Sequence, residues 1–279
     1  MPVTLLLCEG GDHSPDIRVF GKLLAGICTI SPHGGKYGMG DRVITRRKDL
    51  QRNSICGILD GDFTNEWSGQ RNEPVEWRSN DGAIFFGWRW ERKEIENYLI
   101  DPIIVERVFP RSLLNIDAYL GALESARNQI ACYQAARTAL STHRVRVKPL
   151  CNYFGRPRGR KNHPFPNVFD ESHCQSEIRS VVSQYSYSQS VGADAVIASY
   201  QIYLNECLSG GSRSNAFLST FAGKDIVWAL EPWLSSNGFS GPEAFIERIV
   251  VGIERSIDDI SSWLPEWARL KWLIQNTSL

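Results

Sequence analysis

Glu9 directly follows the apolar run 3–8 (VTLLLC), and Asp60-Gly61-Asp62 directly follows 54–59 (SICGIL). Both runs read as buried strands. In a parallel sheet their ends fall on one carboxyl edge, where open α/β folds carry their sites. Side chains two residues apart in an extended chain point the same way, so Asp60 and Asp62 are expected to converge on one cation, with Gly61 permitting a tight backbone. Carboxylate oxygens are the ligands Mg2+ prefers, and Mg2+ keeps waters for a phosphate substrate. Such an ion positions water, polarises a phosphoryl oxygen and stabilises a leaving oxygen. An Asp-x-Asp at a strand end is equally a turn with capping carboxylates. Glu9, at the parallel position of a separate strand, favours the ion, because two acidic edges side by side need a compensating charge.

Holding these carboxylates requires alternating strands and helices. Asp16–Ala25 has a helical apolar face (Ile17, Phe20, Leu23, Leu24), and Ile27–Ile30 is a short second strand. A glycine-rich turn (Gly34, Gly35, Gly38, Gly40) leads to an exposed helix over Asp41–Gln51. Residues 64–82 are polar loop, Ala83–Phe86 is a fourth strand, and Arg92–Leu99 is a short helix stopped before Pro102. Strand–helix alternation implies a parallel sheet with helical crossovers. Beyond residue 110 the periodicity becomes helical, over Ile116–Leu140, Val191–Leu208, Gly223–Leu234, Pro242–Ile260 and Pro265–Ile274. The expected fold is α/β: a parallel sheet with flanking helices over 1–110, then a mostly helical C-terminal region over 111–279.

The 279 residues are 42% hydrophobic and 22% charged, which excludes a wholly disordered chain, a collagen or a small disulfide scaffold. No run approaches a membrane-spanning helix and no signal peptide is recognisable. Seven scattered cysteines without a CxxC pair suit reduced cytosolic thiols and argue against a zinc ribbon. The expected location is the cytoplasm.

Lys plus Arg balance Asp plus Glu at 31 each, but the distribution is uneven. Ser125–Phe169 contains nine Lys or Arg and no acidic residue. Its densest part, 143–165, sets Arg144, Arg146, Lys148, Arg156, Arg158, Arg160 and Lys161 around Tyr153 and Phe154. Basic groups attract phosphates and aromatics stack on exposed bases, so an exposed nucleic-acid-binding loop is expected there. A solvated basic face is the plainer reading. His143, His163, His173 and Cys174 match no common zinc spacing. His33, in the glycine-rich turn, is either a phosphate contact or a turn cap.

The segments LLLCEGGDHSPD (5–16), SPHGGK (31–36), CGILDGDF (56–63) and RKEIENYL (92–99) resemble the TOPRIM domain of topoisomerases, primases and OLD-family nucleases. The EIENYL block is closer to OLD-like TOPRIM proteins found beside ABC-type ATPases in bacterial anti-phage systems. The likeness covers about the first 110 residues and, more weakly, AGKD (222–225). It implies a Mg2+- or Mn2+-dependent nuclease acting on phosphodiesters, with an ATPase as a possible partner. Glu9, Asp60 and Asp62 would bind metal. An acidic residue after the Glu-Gly pair joins the site, with Asp16 preferred over Asp12 because it opens the helix. Glu96 would add a ligand, and Lys224 would stabilise the charged transition state. On a helix Glu94 and Glu96 project about 200° apart, so only one should face the site. The Gly10–Pro15 loop is longer than the family's usual spacing.

Other readings of the same residues remain. LDGDFT (59–64) fits the DxDxT signature of haloacid-dehalogenase-like phosphatases, with Asp60 as nucleophile and Asp62 as acid or base. That reading leaves Glu9 idle, and the late acidic pair Asp258-Asp259 sits in a helical pattern. A nucleic-acid or nucleotide sensor that binds without cutting is a third. No GxxxxGK[ST] is present, so ATP dependence would come from another protein. Trp263, Trp267 and Trp272 read as helix core whose exposed remainder could dock a partner.

Overall fold

The computed structural model describes residues 2–35, 37–63, 67, 69–143, 156–158, 163–165, 170–188 and 190–277, with 156–158, 163–165, 187 and 188 described by backbone alone. The α/β half runs β1 (Leu5–Cys8), α1 (Pro15–Leu23), β2 (Thr29–Pro32), α2 (Met39–Asp49), β3 (Ile55–Leu59), β4 (Val75–Arg78), β5 (Phe85–Arg89), α3 (Glu96–Leu99) and α4 (Pro102–Val108). The remainder holds α5 (Ile116–Thr142), β6 (Arg156–Arg158), β7 (His163–Phe165), α6 (Glu171–Ser188), α7 (Ala193–Cys207), α8 (Ser212–Asn215), α9 (Phe217–Thr220), α10 (Gly223–Ala229), α11 (Glu231–Ser236), α12 (Pro242–Arg255) and α13 (Pro265–Asn276).

The main sheet has the order β2-β1-β3-β5-β4. β1 pairs in parallel with β2 and β3, β3 pairs in parallel with β5, and β4 closes one edge antiparallel to β5. Every residue of β3 (ICGIL) is buried, as expected of a strand covered on both faces. From β1 the chain crosses to β2 on one side, then returns to β3 on the other. The crevice between the carboxyl ends of β1 and β3 is therefore a topological switch point.

Several expected boundaries move, each for a local reason. Residues 64–82 contain β4, whose VEWR sequence has no apolar run; Trp77 instead packs on Phe86, ring centroids 4.9 Å apart. The fourth strand expected at Ala83–Phe86 lies at Phe85–Arg89. The helix expected over Arg92–Leu99 shrinks to α3, because the carbonyls of Arg92 and Lys93 accept the N–H groups of Gly61 and Asp62, each at 3.1 Å. Pro102 opens α4 rather than stopping a helix: Asp101 caps it, accepting from the Ile103 N–H at 2.9 Å. The span 242–260 ends its helix at Arg255, and 223–234 divides before Pro232. Helix α6 carried no sequence expectation, and β6 and β7 place an antiparallel pair in the segment read as loop.

One apolar core runs through both halves, from Val3 and Leu6 to Leu270 and Ile274. The Val3 N–H donates to the Ile274 carbonyl at 3.0 Å, so the last helix closes on the first strand. Residue 110 marks a change of architecture within a shared core. A smaller cluster (Leu7, Met39, Val43, Ile55, Leu59) lies under α2. Among the described residues no cysteine forms a disulfide, and no helix is long and apolar enough to cross a membrane.

Glu266 ties α13 to the α/β half, accepting from the Tyr98 hydroxyl at 2.6 Å and the Glu91 N–H at 2.8 Å. Burial pushes its carboxyl up to about 7, against the lowering influence of those two donors and Arg92. A folded pKa above the unfolded value of 4.5 means that the fold holds the proton more tightly. That stabilisation is complete below pH 4.5 and is lost as pH rises to about 7. Glu266→Gln is therefore expected to flatten the stability profile across this window by roughly 3 kcal/mol, read from urea midpoints. A profile parallel to that of the unmodified chain would overturn the assignment.

Candidate active site

The switch-point crevice gathers Glu9, Asp16, Asp60, Glu94, Glu96 and Lys224. Gly10 and Gly34 exchange backbone hydrogen bonds at 3.1 and 3.0 Å, which fixes the backbone beside Glu9. The Glu9 Oε1 accepts from the Asp60 N–H at 3.1 Å, tying the ends of β1 and β3 together. Gly61 lets the turn press on residues 90–92, since a Cβ there would lie 2.4 Å from the Arg92 carbonyl oxygen.

Asp16 occupies the first turn of α1, after Pro15 and the Ser14 cap, whose Oγ accepts from the Ile17 N–H at 3.4 Å. The long Gly10–Pro15 loop closes through a Ser14 N–H bond to the Gly11 carbonyl at 2.9 Å. This brings Asp16 into the field of Glu9, Asp60 and Glu96 and leaves Asp12 exposed. Burial, then Asp16 and Glu9, push the Asp60 carboxyl up to about 9, against Lys224. Burial, then Glu96, push Asp16 up to about 7. Glu96 is raised too, by burial and Glu94 against Lys224, and its buried Oε2 accepts no hydrogen bond.

Lys224 enters from the helical half. Its Nζ lies 3.6 Å from Glu96 Oε2 and 3.9 Å from Glu94 Oε2, and its N–H donates to Glu94 Oε2 at 3.0 Å. Burial alone would lower its ammonium, but Glu96, Glu94, Asp60 and Asp16 outweigh it and hold it above the usual lysine range. Both glutamates reach Lys224 because α3 begins at Glu96, so the helical projection of Glu94 does not apply.

Asp62 is placed differently from its expectation. β3 ends at Leu59 and Asp62 has φ 51°, so strand alternation does not bring it beside Asp60. Its charge favours the charged form of Lys93. Of the expected nucleic-acid contacts, Arg144, Arg146, Lys148, Arg160 and Lys161 lie outside the described residues, and Arg156 and Arg158 are on β6, described by backbone alone. Asp258 and Asp259 follow α12; Asp259 caps Ser261 and bonds Lys271, away from the crevice.

The supporting residues carried no motif. Asn97 is fully buried: its Nδ2 donates to the Phe221 carbonyl at 2.9 Å, and its Oδ1 accepts from the N–H groups of Glu94 and Gly223, both at 3.0 Å. Gly223 packs so closely that a Cβ would lie 2.5 Å from the Asn97 nitrogen. Asp225 is held by Arg137 and by Gln134 Nε2 at 2.5 Å. Lys93 donates to the Asp62 carbonyl at 2.8 Å, and Lys93 and Arg137 lie over the Phe63 ring at 4.2 and 4.3 Å. Burial and the guanidiniums of Arg213 and Arg137 push Lys93 down to about 7. These partners are far apart in sequence, so no local spacing announces them.

No family model matches the chain, and no curated protein matches it in sequence.

The donor set suits a hard divalent cation. All its acidic members offer carboxylate oxygens, Asp60 and Asp16 are pushed toward the protonated form by burial and then by neighbouring carboxylates, and the buried Glu96 Oε2 faces only the Lys224 ammonium at 3.6 Å. Among the described residues no three His, Cys, Asp or Glu side chains form a ready ligand group. Mg2+ does not require one, since it is commonly held by one or two carboxylates and waters.

Proposed function

We propose that this chain is a Mg2+- or Mn2+-dependent nuclease that cleaves nucleic-acid phosphodiesters. The observation that carries the reading is the meeting of Glu9, Asp16, Asp60, Glu96 and Lys224 at the β1/β3 switch point. Glu9 and Asp60 would hold the cation, with Glu96 and Asp16 beside them. A cation there supplies charge neutralisation for the phosphoryl group and its leaving oxygen.

The chain's own residues do the rest. Glu9 orients Asp60 through its backbone N–H. Asp16, in the field of Glu9 and Glu96 at the start of α1, is placed to take a proton from the attacking water. Lys224 donates to the phosphoryl oxygens as negative charge develops. The phosphatase reading leaves Glu9 idle, whereas the Glu9 Oε1 accepts from the Asp60 N–H at 3.1 Å. The resemblance to TOPRIM proteins of anti-phage systems supports a wider form of the proposal: a cytoplasmic effector acting beside an ABC-type ATPase. The exposed Trp272 offers part of a contact for such a partner.

The test is incubation of purified protein with plasmid, linear and single-stranded DNA and a structured RNA pool, in Mg2+, Mn2+ or EDTA. Cleavage of at least one substrate in metal and none in EDTA is expected. Cleavage that persists undiminished in EDTA, or none with or without an ATPase partner, would overturn the proposal.

A further inference from the structure

The loop between β2 and α2 is bonded to the backbone that carries Glu9. The His33 N–H donates to the Cys8 carbonyl at 2.9 Å, and Gly34 pairs with Gly10. Its outer end is Tyr37, 82% exposed, ahead of Tyr133, Trp228 and Trp272 among the exposed aromatics described. Those three lie on helices α5, α10 and α13. Tyr37 stands just before Gly38, which caps α2 at φ 76°, a left-handed conformation suited to glycine.

Helix α2 continues the same surface with cations. Arg42 is exposed and Arg46 half-buried, four residues apart on one face, or about 6 Å along the axis. Among the described residues neither pairs with a carboxylate, and the buried Nε of Arg46 has no hydrogen-bond partner. Arg47 is committed elsewhere, to the carbonyls of Ile55 and Phe85, both at 2.8 Å. A wet aromatic ring followed by unpaired guanidiniums matches the needs of a strand whose bases are unstacked: ring faces for bases, cations for phosphates. A duplex, its bases stacked on one another, offers the ring no face.

We infer that the β2–α2 loop and α2 form a binding track for single-stranded nucleic acid, with a base on Tyr37 and flanking phosphates on Arg42 and Arg46. The inference rests on the nuclease reading for its direction, since the track leads to the Glu9–Asp60 edge, and it names that site's substrate class as unpaired strands.

The test is fluorescence anisotropy in EDTA, where binding is read without cleavage. The probes are labelled oligothymidine, labelled oligouridine and a labelled DNA duplex of equal length. Single strands are expected to bind at least about tenfold tighter than the duplex. Tyr37→Ala is expected to weaken single-strand binding about tenfold while Tyr37→Phe retains it, because the ring face does the stacking. The double variant Arg42→Glu, Arg46→Glu weakens both probe classes and lessens the salt dependence. The stronger of the two single-strand probes assigns the track to DNA or RNA. Equal affinity for duplex, no single-strand binding, or an unchanged Tyr37→Ala would overturn the inference. Metal-dependent cleavage alongside an unchanged Tyr37→Ala overturns the track alone. A Tyr37-dependent complex that never cleaves keeps the track and removes the nuclease.

Discussion

Glu9→Gln is expected to lower metal-dependent cleavage at least about 100-fold while leaving the fold intact. Glutamine keeps an oxygen at the position that accepts the Asp60 N–H, so the tie between β1 and β3 survives. What is lost is a negative charge at the switch point. A bound cation supplies several kcal/mol of transition-state stabilisation, and each 1.36 kcal/mol is about tenfold in rate. Losing the charge should also relieve Asp60 and Asp16, both of which Glu9 raises. The measurement is single-turnover cleavage beside a thermal melt. Cleavage within about threefold of the unmodified rate, at unchanged stability, would remove Glu9 from the site and with it the metal assignment.

The second large effect is on stability. Asn97→Ala is expected to cost roughly 3–6 kcal/mol, because it strips partners from the Phe221 carbonyl and the N–H groups of Glu94 and Gly223 at one stroke. An unsatisfied buried polar group costs about 1–3 kcal/mol, and domains have only about 5–15 kcal/mol in all. The same bonds fix Glu94 and the backbone beside Lys224, so cleavage should fall even where the variant remains folded. Urea midpoints and cleavage on one preparation test both. A loss below about 1 kcal/mol would show that α3 and α10 are held together by packing alone.

Much of the sheet was legible because parallel strands are buried on both faces and read as unbroken apolar runs. VTLLLC and SICGIL lie where β1 and β3 form, and their carboxyl ends carry Glu9 and Asp60. Helical apolar periodicity likewise marked α1, α5, α7 and α13. Strand β4 was not legible, because it is an exposed edge strand in which only Trp77, packed on Phe86, is half-buried. The start of α3 was hidden because the carbonyls of Arg92 and Lys93 are used by the Gly61–Asp62 turn.

The candidate site divides in the same way. The sequence by itself determined which carboxylates stand at strand ends, since that depends only on period and position along the chain. Tertiary structure decided which of them meet. Asp16 rather than Asp12 enters because the loop from Gly10 closes on Ser14. Asp62 falls outside the strand alternation because its backbone is held by Lys93 at a positive φ. Lys224 arrives from the far half because Asn97 bonds both Phe221 and Gly223. Charges act through space, and the distances that set them are fixed by hydrogen bonds between residues more than 100 positions apart.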